Sequence, residues 1–440
     1  MGYGEEAMNP YIQYMYSYPH KTAYGPLEGI SLHDFLPCLQ GSQNGLYLHL
    51  PFCRTKCGYC NLFSVTGQKE EQVDRYLEAV GRQSRQYQEL LAPYGTVFQE
   101  LVIGGGTPLL LTEGQLERMF RILEDGFVYT KDRGMVIETS PGETSREKLK
   151  ILKQAGVTRV SMGIQSFSEE ELGTLRRQHG AARAEEALAL IKSFDFPCVN
   201  VDFIYGIPGQ TADSLLETLK KAVSHEPEEI FLYPLYVKHG ASLQRAWKDG
   251  QVLHPEEALI QYREAGAYLR SEGYRQDSMR RFVRGKEARA YSECSMGTSL
   301  ALGCGGRSYV GALHFCSPYT VTRQGCLEQL ERFIHTEDYT GITHGILLTE
   351  EEQKRRYVIR HLLIRPGLWL SGYEEQFKSS PADDFPILNV WMKQGYVSRE
   401  SGYLTLTEAG LSLSDWLGPQ LISEGVRRKM KEWERTHGWT

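Results

Sequence analysis

The sequence predicts an α/β protein, a partial (β/α)6 barrel followed by a winged-helix-like α+β domain. Three observations predict it. Between residues 45 and 240 strand-like and helix-like runs alternate six times, the pattern of a parallel sheet with right-handed crossovers. The segments richest in cysteine, glycine and buried charge follow strand-like runs, at the carboxyl edge where such sheets bind ligands. From Leu348 onward, three helical periods and a hairpin outline a winged helix.

In chain order, residues 1–44 read as a tyrosine-rich arm with Tyr11, Tyr14, Tyr16, Tyr18 and Tyr24. The arm is expected to lie across the main domain with its phenols partly wet, or to close over the active site through His20 or Lys21. Strands are expected at 46–50, 100–103, 135–138, 159–163, 198–204 and 230–237. Helices are expected at 72–91, 113–124, 145–154, 169–177, 184–193 and 212–224. Residues 241–343 lose the alternation and read as a core extension on the substrate side, with a helix over 251–272. A basic stretch, Arg280, Arg281, Arg284, Lys286 and Arg289, reads as a solvated face or as a site for substrate carboxylates. Residues 344–423 form the winged-helix-like domain, with helices at 350–363, 373–377, 384–395 and 407–417 and a two-stranded wing at 397–406. Residues 424–440 are a tail.

Composition narrows the function. With 41% hydrophobic and 24% charged residues, the 440-residue chain has the make-up of a globular protein. Its net charge of −6 gives no global field toward nucleic acid or anionic membrane. Residues 345–440 balance 13 Lys/Arg against 13 Asp/Glu, so the winged-helix shape lacks a phosphate footprint and reads as a docking or substrate-covering module. No run approaches a membrane span of about 20 apolar residues. Glu5 and Glu6, with no apolar run near them, do not make a signal peptide. Nine cysteines without a disulfide framework point to a reducing cytoplasm.

The chemistry concentrates in Cys53, Cys57 and Cys60, at C-x3-C-x2-C spacing directly after the first strand. Zinc would need a fourth ligand, and no cysteine follows within ten residues. The alternatives are half of a zinc site, three buried structural thiols, or a [4Fe–4S] cluster held by three thiolates with one iron open. The run Gly104-Gly105-Gly106-Thr107-Pro108 ends strand two, where missing Cβ atoms allow close backbone approach. Glu138 ends strand three and can accept from an ammonium or a ribose. Asp202 lies in a run expected to be buried on both faces, so it should pair, with Arg177 or a ligand. Cys294, Cys304, Cys316 and Cys326 read as buried small hydrophobes or as an auxiliary cluster.

Taken together, these motifs resemble the oxygen-independent coproporphyrinogen III oxidase family of radical S-adenosylmethionine (SAM) enzymes, over residues 16–420. The resemblance implies a radical-SAM barrel, a [4Fe–4S] cluster on Cys53, Cys57 and Cys60, and a cluster-bound SAM touched by Tyr47, Gly105 and Glu138. It implies a second SAM near Tyr59, Gly106, Thr107, Gln165, Arg177, Asp202 and Pro234. It also implies a small-molecule substrate and a low-potential electron donor such as flavodoxin or ferredoxin, with no nucleic acid. The chain departs from the family pattern at Leu62, where the oxidase has a further cysteine. It departs again at Arg289-Ala-Tyr291-Ser-Glu293-Cys294, where relatives carry His-Asn-x-x-Tyr, and in Gly305-Gly306-Arg307-Ser308-Tyr309. These changes fall where substrate should lie and leave the substrate open. The expected activity is hydrogen abstraction by a 5′-deoxyadenosyl radical, in the manner of tetrapyrrole oxidative decarboxylation. The alternatives are a radical SAM methyltransferase and a haem-binding chaperone using His239 or His314.

Overall fold

The computed structural model describes residues 9–15, 17–237, 241, 243, 255–285 and 297–437. The parallel core strands are β2 (Gly41–Leu50), β5 (Thr96–Gly105), β6 (Tyr129–Thr139), β7 (Arg159–Gln165), β8 (Cys198–Tyr205) and β9 (Glu229–Pro234), preceded by β1 (Gly25–Ser31) and interrupted by the short pair β3 (Phe52–Cys53) and β4 (Val65–Thr66). They are joined by α1 (Glu70–Leu91), α2 (Glu113–Gly126), α3 (Arg146–Gln154), α4 (Glu169–Thr174), α5 (Ala181–Lys192) and α6 (Ala212–Ser224). β2, β5, β6, β7, β8 and β9 lie side by side in that order, joined by five parallel pairings.

Local sequence explains these elements. Alternation puts Leu46, Leu48 and Leu50 of β2 at no more than 1% exposure, while Tyr47 and His49 point to the opposite face. Helix α1 buries Val73, Tyr76, Leu77, Val80, Tyr87 and Leu91, at helical spacing. Thr112 with Gln115, and Thr211 with Ser214, form capping boxes that start α2 and α6.

The sheet is wider than six strands and does not close. It runs β1-β15-β14-β13-β12-β2-β5-β6-β7-β8-β9-β11-β10, with β10 (Arg275–Gln276), β11 (Arg281–Val283), β12 (Thr298–Leu302), β13 (Arg307–Val310), β14 (Leu313–Cys316) and β15 (Gly341–Leu347). Region 241–343, which shows no βα alternation, thus extends the same sheet at both edges. Its added strands are short and mostly antiparallel, so no helical crossover betrays them. The sixth parallel strand ends at Pro234, short of the expected 237.

The basic stretch is neither a solvated face nor a carboxylate site at Arg280 and Arg281, which are 4% and 2% exposed. Arg281 bridges Glu229 at 2.5 Å and Asp277 at 2.7 Å, and Glu229 also takes Arg159 at 2.7 Å. Arg280 pairs with Asp415, which also accepts from the Tyr236 hydroxyl. Arg284 pairs with Glu226 at 3.1 Å. Lys286 and Arg289 lie outside the described residues, as do His239, Tyr16 and Tyr291–Cys294.

A second core gathers Val358, Leu362, Tyr373, Leu388, Trp391, Leu404 and Leu417. Its wing has three strands, not two: β16 (Leu368–Trp369) pairs with β18 (Tyr403–Leu406), which pairs with β17 (Val397–Glu400). The arm enters this core through Met15, Tyr18 and Ala23. Tyr18 and Tyr24 are 1% and 5% exposed rather than wet, because the arm is sandwiched before β1 joins the sheet. No helix among the described residues is long and apolar enough to cross a membrane.

Candidate active site

The site is assembled at the carboxyl ends of the parallel strands. The segment after β2 turns through Cys53, Cys57 and Cys60, three free, half-buried thiols. Burial pushes the Cys53 and Cys60 thiols up, and each feels the neighbouring thiols. Two sets of bonds fasten this loop to the glycine run at the end of β5. Gly106 N–H donates to Leu50 O and Thr107 N–H to Phe52 O, both at 2.7 Å, and the Thr107 hydroxyl lies 3.8 Å from Cys53 Sγ.

The glycines are needed chiefly for chain-on-chain contact. Gly105 has φ +114°, and a Cβ there would sit 2.6 Å from the His49 ring; one on Gly106 would sit 2.4 Å from Phe52 O. A Cβ on Gly104 would lie 2.8 Å from the Glu138 carboxylate. Glu138, half-buried at the end of β6, accepts from Gly105 N–H at 3.0 Å. Burial pushes its pKa up to about 7.

His49 was not singled out by the sequence motifs, yet it joins three parts of the site. Its Nε2 lies 3.0 Å from Phe63 O, and a carbonyl can only accept, so Nε2 carries the proton. Nδ1 is then the acceptor, and the Tyr47 hydroxyl, 3.1 Å away, donates to it. Burial lowers the His49 pKa to about 4, so the ring stays neutral. The available signal was the alternation Tyr47-Leu-His49, which puts both rings on the inner face.

Across β7 and β8 the remaining polar positions converge. Gln165 ends β7 with φ +78°, a left-handed conformation uncommon for a non-glycine residue, where the β7–β8 register shifts. Arg177 donates to Cys57 Sγ at 3.0 Å and to Gly163 O at 2.6 Å. Asp202 does not form the expected ion pair with Arg177. It is half-buried, facing the interior, accepts from Asn200 Nδ2 at 2.8 Å, and desolvation pushes its pKa up to about 6. Arg177 is turned instead toward the cysteine loop. Tyr59 and Tyr233 pack on Leu175, Ile204 and Ile207, beside buried Pro234 at the end of β9.

No three His, Cys, Asp or Glu side chains among the described residues converge on a point for one metal ion, Cys53, Cys57 and Cys60 included. A four-iron cluster has a different demand, one thiolate per iron, with the sulfurs set apart around the cube. Cys304 and Cys326 are fully buried and held by Ser317 and the Thr320 carbonyl, as small core groups are. His314 is completely enclosed, and burial holds its pKa well below the usual value, so no haem reaches it in this conformation.

Residues 47–222 match the Radical SAM superfamily, and the chain therefore carries a radical SAM domain. Among proteins of known type it is similar to the oxygen-independent coproporphyrinogen III oxidase of Escherichia coli, at 26% identity over 90% of this chain and 91% of that one. The solved structure of that oxidase, described as a radical SAM enzyme, superimposes with a TM-score of 0.78 at 25% identity, covering 93% of this chain and 96% of the other. A heme chaperone HemW from Mycobacterium tuberculosis is 34% identical over 51% of this chain and 58% of its own length. These similarities imply a [4Fe–4S] cluster and SAM binding. The residues present fit both groups: three free thiols on one loop, tied by two backbone hydrogen bonds to the glycine end of β5, which itself donates to the Glu138 carboxylate on neighbouring β6.

Proposed function

We propose that this chain is a radical SAM enzyme that abstracts hydrogen from a small-molecule substrate in the manner of the coproporphyrinogen III oxidases. The observation carrying the proposal is the fastening of the cysteine loop to the Gly104–Thr107 strand end, with Glu138 directly beneath it. Cys53, Cys57 and Cys60 would hold the cluster. When bound, the cluster and SAM supply a 5′-deoxyadenosyl radical that abstracts hydrogen.

The chain's own residues do the positioning. Glu138 offers a carboxylate to an ammonium group. Tyr47 donates its proton to His49, so any contact it makes to a ligand is as an acceptor. Arg177 donates to Cys57 Sγ and holds that part of the cysteine loop in place. Asp202, Gln165 and Tyr59 form a second polar wall that suits a further SAM or the polar part of a substrate.

The test is anaerobic turnover of reconstituted protein with SAM, dithionite and host extract, read by mass spectrometry. Deoxyadenosine without S-adenosylhomocysteine supports hydrogen abstraction, and the depleted extract species names the substrate class. Both products together would favour a methyltransferase. Neither product from cluster-loaded protein would favour the chaperone reading that the HemW similarity keeps open.

A further inference from the structure

The two ends of the chain meet beside the cysteine loop. Helix Glu424–Thr436, which the sequence presents as a tail, starts at Ser423, whose hydroxyl accepts from Val426 N–H. Ser423 N–H donates to the Tyr18 hydroxyl at 3.2 Å, and Ser423 Oγ donates to Glu352 at 2.6 Å. The helix therefore leaves the second core next to the arm, and it packs along the arm's turn Lys21–Ala23. Further along, Trp433 stacks on Tyr319 with ring centroids 5.2 Å apart. Lys21 Nζ lies 3.8 Å from the centre of the Tyr319 ring, and the His20 ring meets it edge-on at 6.4 Å. Residues from both termini thus fix the buried ring of Tyr319 by aromatic packing and a cation–π contact.

Tyr319 in turn grips the cysteine loop. Its hydroxyl donates to Asn61 O at 3.1 Å, the residue after Cys60. Two residues beyond Tyr319, Val321 O accepts from Lys56 Nζ at 3.0 Å, so the same segment also holds the loop just ahead of Cys57. The Asn61 carbonyl belongs to the peptide unit that carries the Leu62 N–H. A peptide unit is flat and trans, so its C=O and N–H point in opposite directions. The Tyr319 hydroxyl fixes one end of this unit and thereby aims the other. That other end, the Leu62 N–H, is directed at Cys60 Sγ; burial raises the Cys60 thiol, and this N–H works against the rise. Hydrogen bonds to the sulfurs help set the potential of an iron–sulfur cluster, because a donor on sulfur favours the more negative, reduced state.

We propose that Tyr319 is a positioning residue for the cluster: by holding the Asn61–Leu62 peptide it keeps an N–H on the Cys60 sulfur and raises the potential at which the cluster accepts its electron. The last helix acts through the same ring, by way of Trp433. The proposal rests on the radical SAM reading of Cys53, Cys57 and Cys60. The step concerned is the uptake of one electron by the oxidised cluster from an external reductant, with no bond made or broken.

The experiment uses the full chain, reconstituted anaerobically with iron and sulfide. The cluster's midpoint potential is read by electron paramagnetic resonance during titration with titanium(III) citrate. Tyr319→Phe keeps the stacked ring and removes the hydroxyl alone. Tyr129→Phe is the matched control, since it removes a hydroxyl that donates to Leu123 O at 3.0 Å at the amino end of β6. One net hydrogen bond shifts an equilibrium about threefold to tenfold. The potential of Tyr319→Phe should therefore fall by about 30–60 mV, at about 59 mV per tenfold for one electron. Trp433→Ala should shift it in the same direction and Trp433→Phe should restore it. The double variant Tyr319→Phe, Trp433→Ala should fall no further than Tyr319→Phe, because both changes act through one hydroxyl. If Tyr319→Phe retains no cluster, the Trp433→Ala and Trp433→Phe pair reads the same effect. A wild-type potential in Tyr319→Phe or in Trp433→Ala, an equal fall in the control, or additive shifts in the double variant would each overturn the proposal. Wild-type protein that assembles no [4Fe–4S] signal would overturn the radical SAM reading instead, so the two failures are distinguishable.

Discussion

Glu138→Gln separates the carboxylate's charge from its shape. Burial lifts the Glu138 pKa from an ordinary 4.5 to about 7, and at about 1.4 kcal/mol per pKa unit the folded chain gives up roughly 3 kcal/mol by keeping that anion above neutrality. Because the folded pKa exceeds the unfolded one, this contribution to stability is complete below about pH 4.5 and is lost as pH rises through about 7. The glutamine variant carries no such loss. Without ligand it should match wild type near about pH 5 and exceed it near about pH 8, by up to about 3 kcal/mol in urea melts.

Binding runs the other way. An ammonium facing Glu138 prefers the ionised carboxylate, so wild-type affinity for SAM should drop by up to about tenfold per pH unit below about 7. The variant should bind SAM weakly with no such slope. A hydrogen bond to a charged group contributes about 1.5–3 kcal/mol, which makes the variant about 10- to 100-fold weaker near about pH 8. Anaerobic calorimetry across the pH range reads both effects. A variant that keeps the wild-type affinity and slope would refute the assignment of Glu138 to the SAM amino group.

Cys57→Ala should abolish both the iron–sulfur absorbance and SAM cleavage; full activity without the cluster would exclude the mechanism. Asp202→Asn should weaken SAM binding about tenfold while iron content stays at the wild-type value, since a neutral amide replaces one end of a charge-assisted contact; unchanged binding would make Asp202 structural. Arg280→Ala strands Asp415, which is 1% exposed, and should lower unfolding free energy by about 3–5 kcal/mol. A loss under about 1 kcal/mol in chemical denaturation would show that solvent or a neighbour replaces the guanidinium.

The parallel core was legible because its signals are local. A strand buried on one face and a helix with one apolar stripe each declare themselves within about ten residues, as do β2 and α1. The polar carboxyl-edge residues follow from the strand positions. The added strands could not be read, because β10 to β15 are two to seven residues long and their attachment to the sheet, at β11, β12 and β15, is set by partners far off in sequence. β1, for instance, pairs with β15 some three hundred residues later.

Sequence by itself determined the alternating core, the spacing of three thiols after the first parallel strand and the glycine run opposite them, all encoded within single segments. Tertiary structure alone decided which charges are spent internally. Arg280 and Arg281 look like a basic surface until Asp415, Asp277 and Glu229 are brought to them. Only folding turns Arg177 toward Cys57 and away from Asp202. The return of the last helix to the cysteine loop is likewise a tertiary fact, because Trp433 and Tyr319 meet across more than a hundred residues. The physical reason is common to all three. Burial and pairing of polar groups depend on which distant segment arrives, and periodicity within a segment carries no record of that partner.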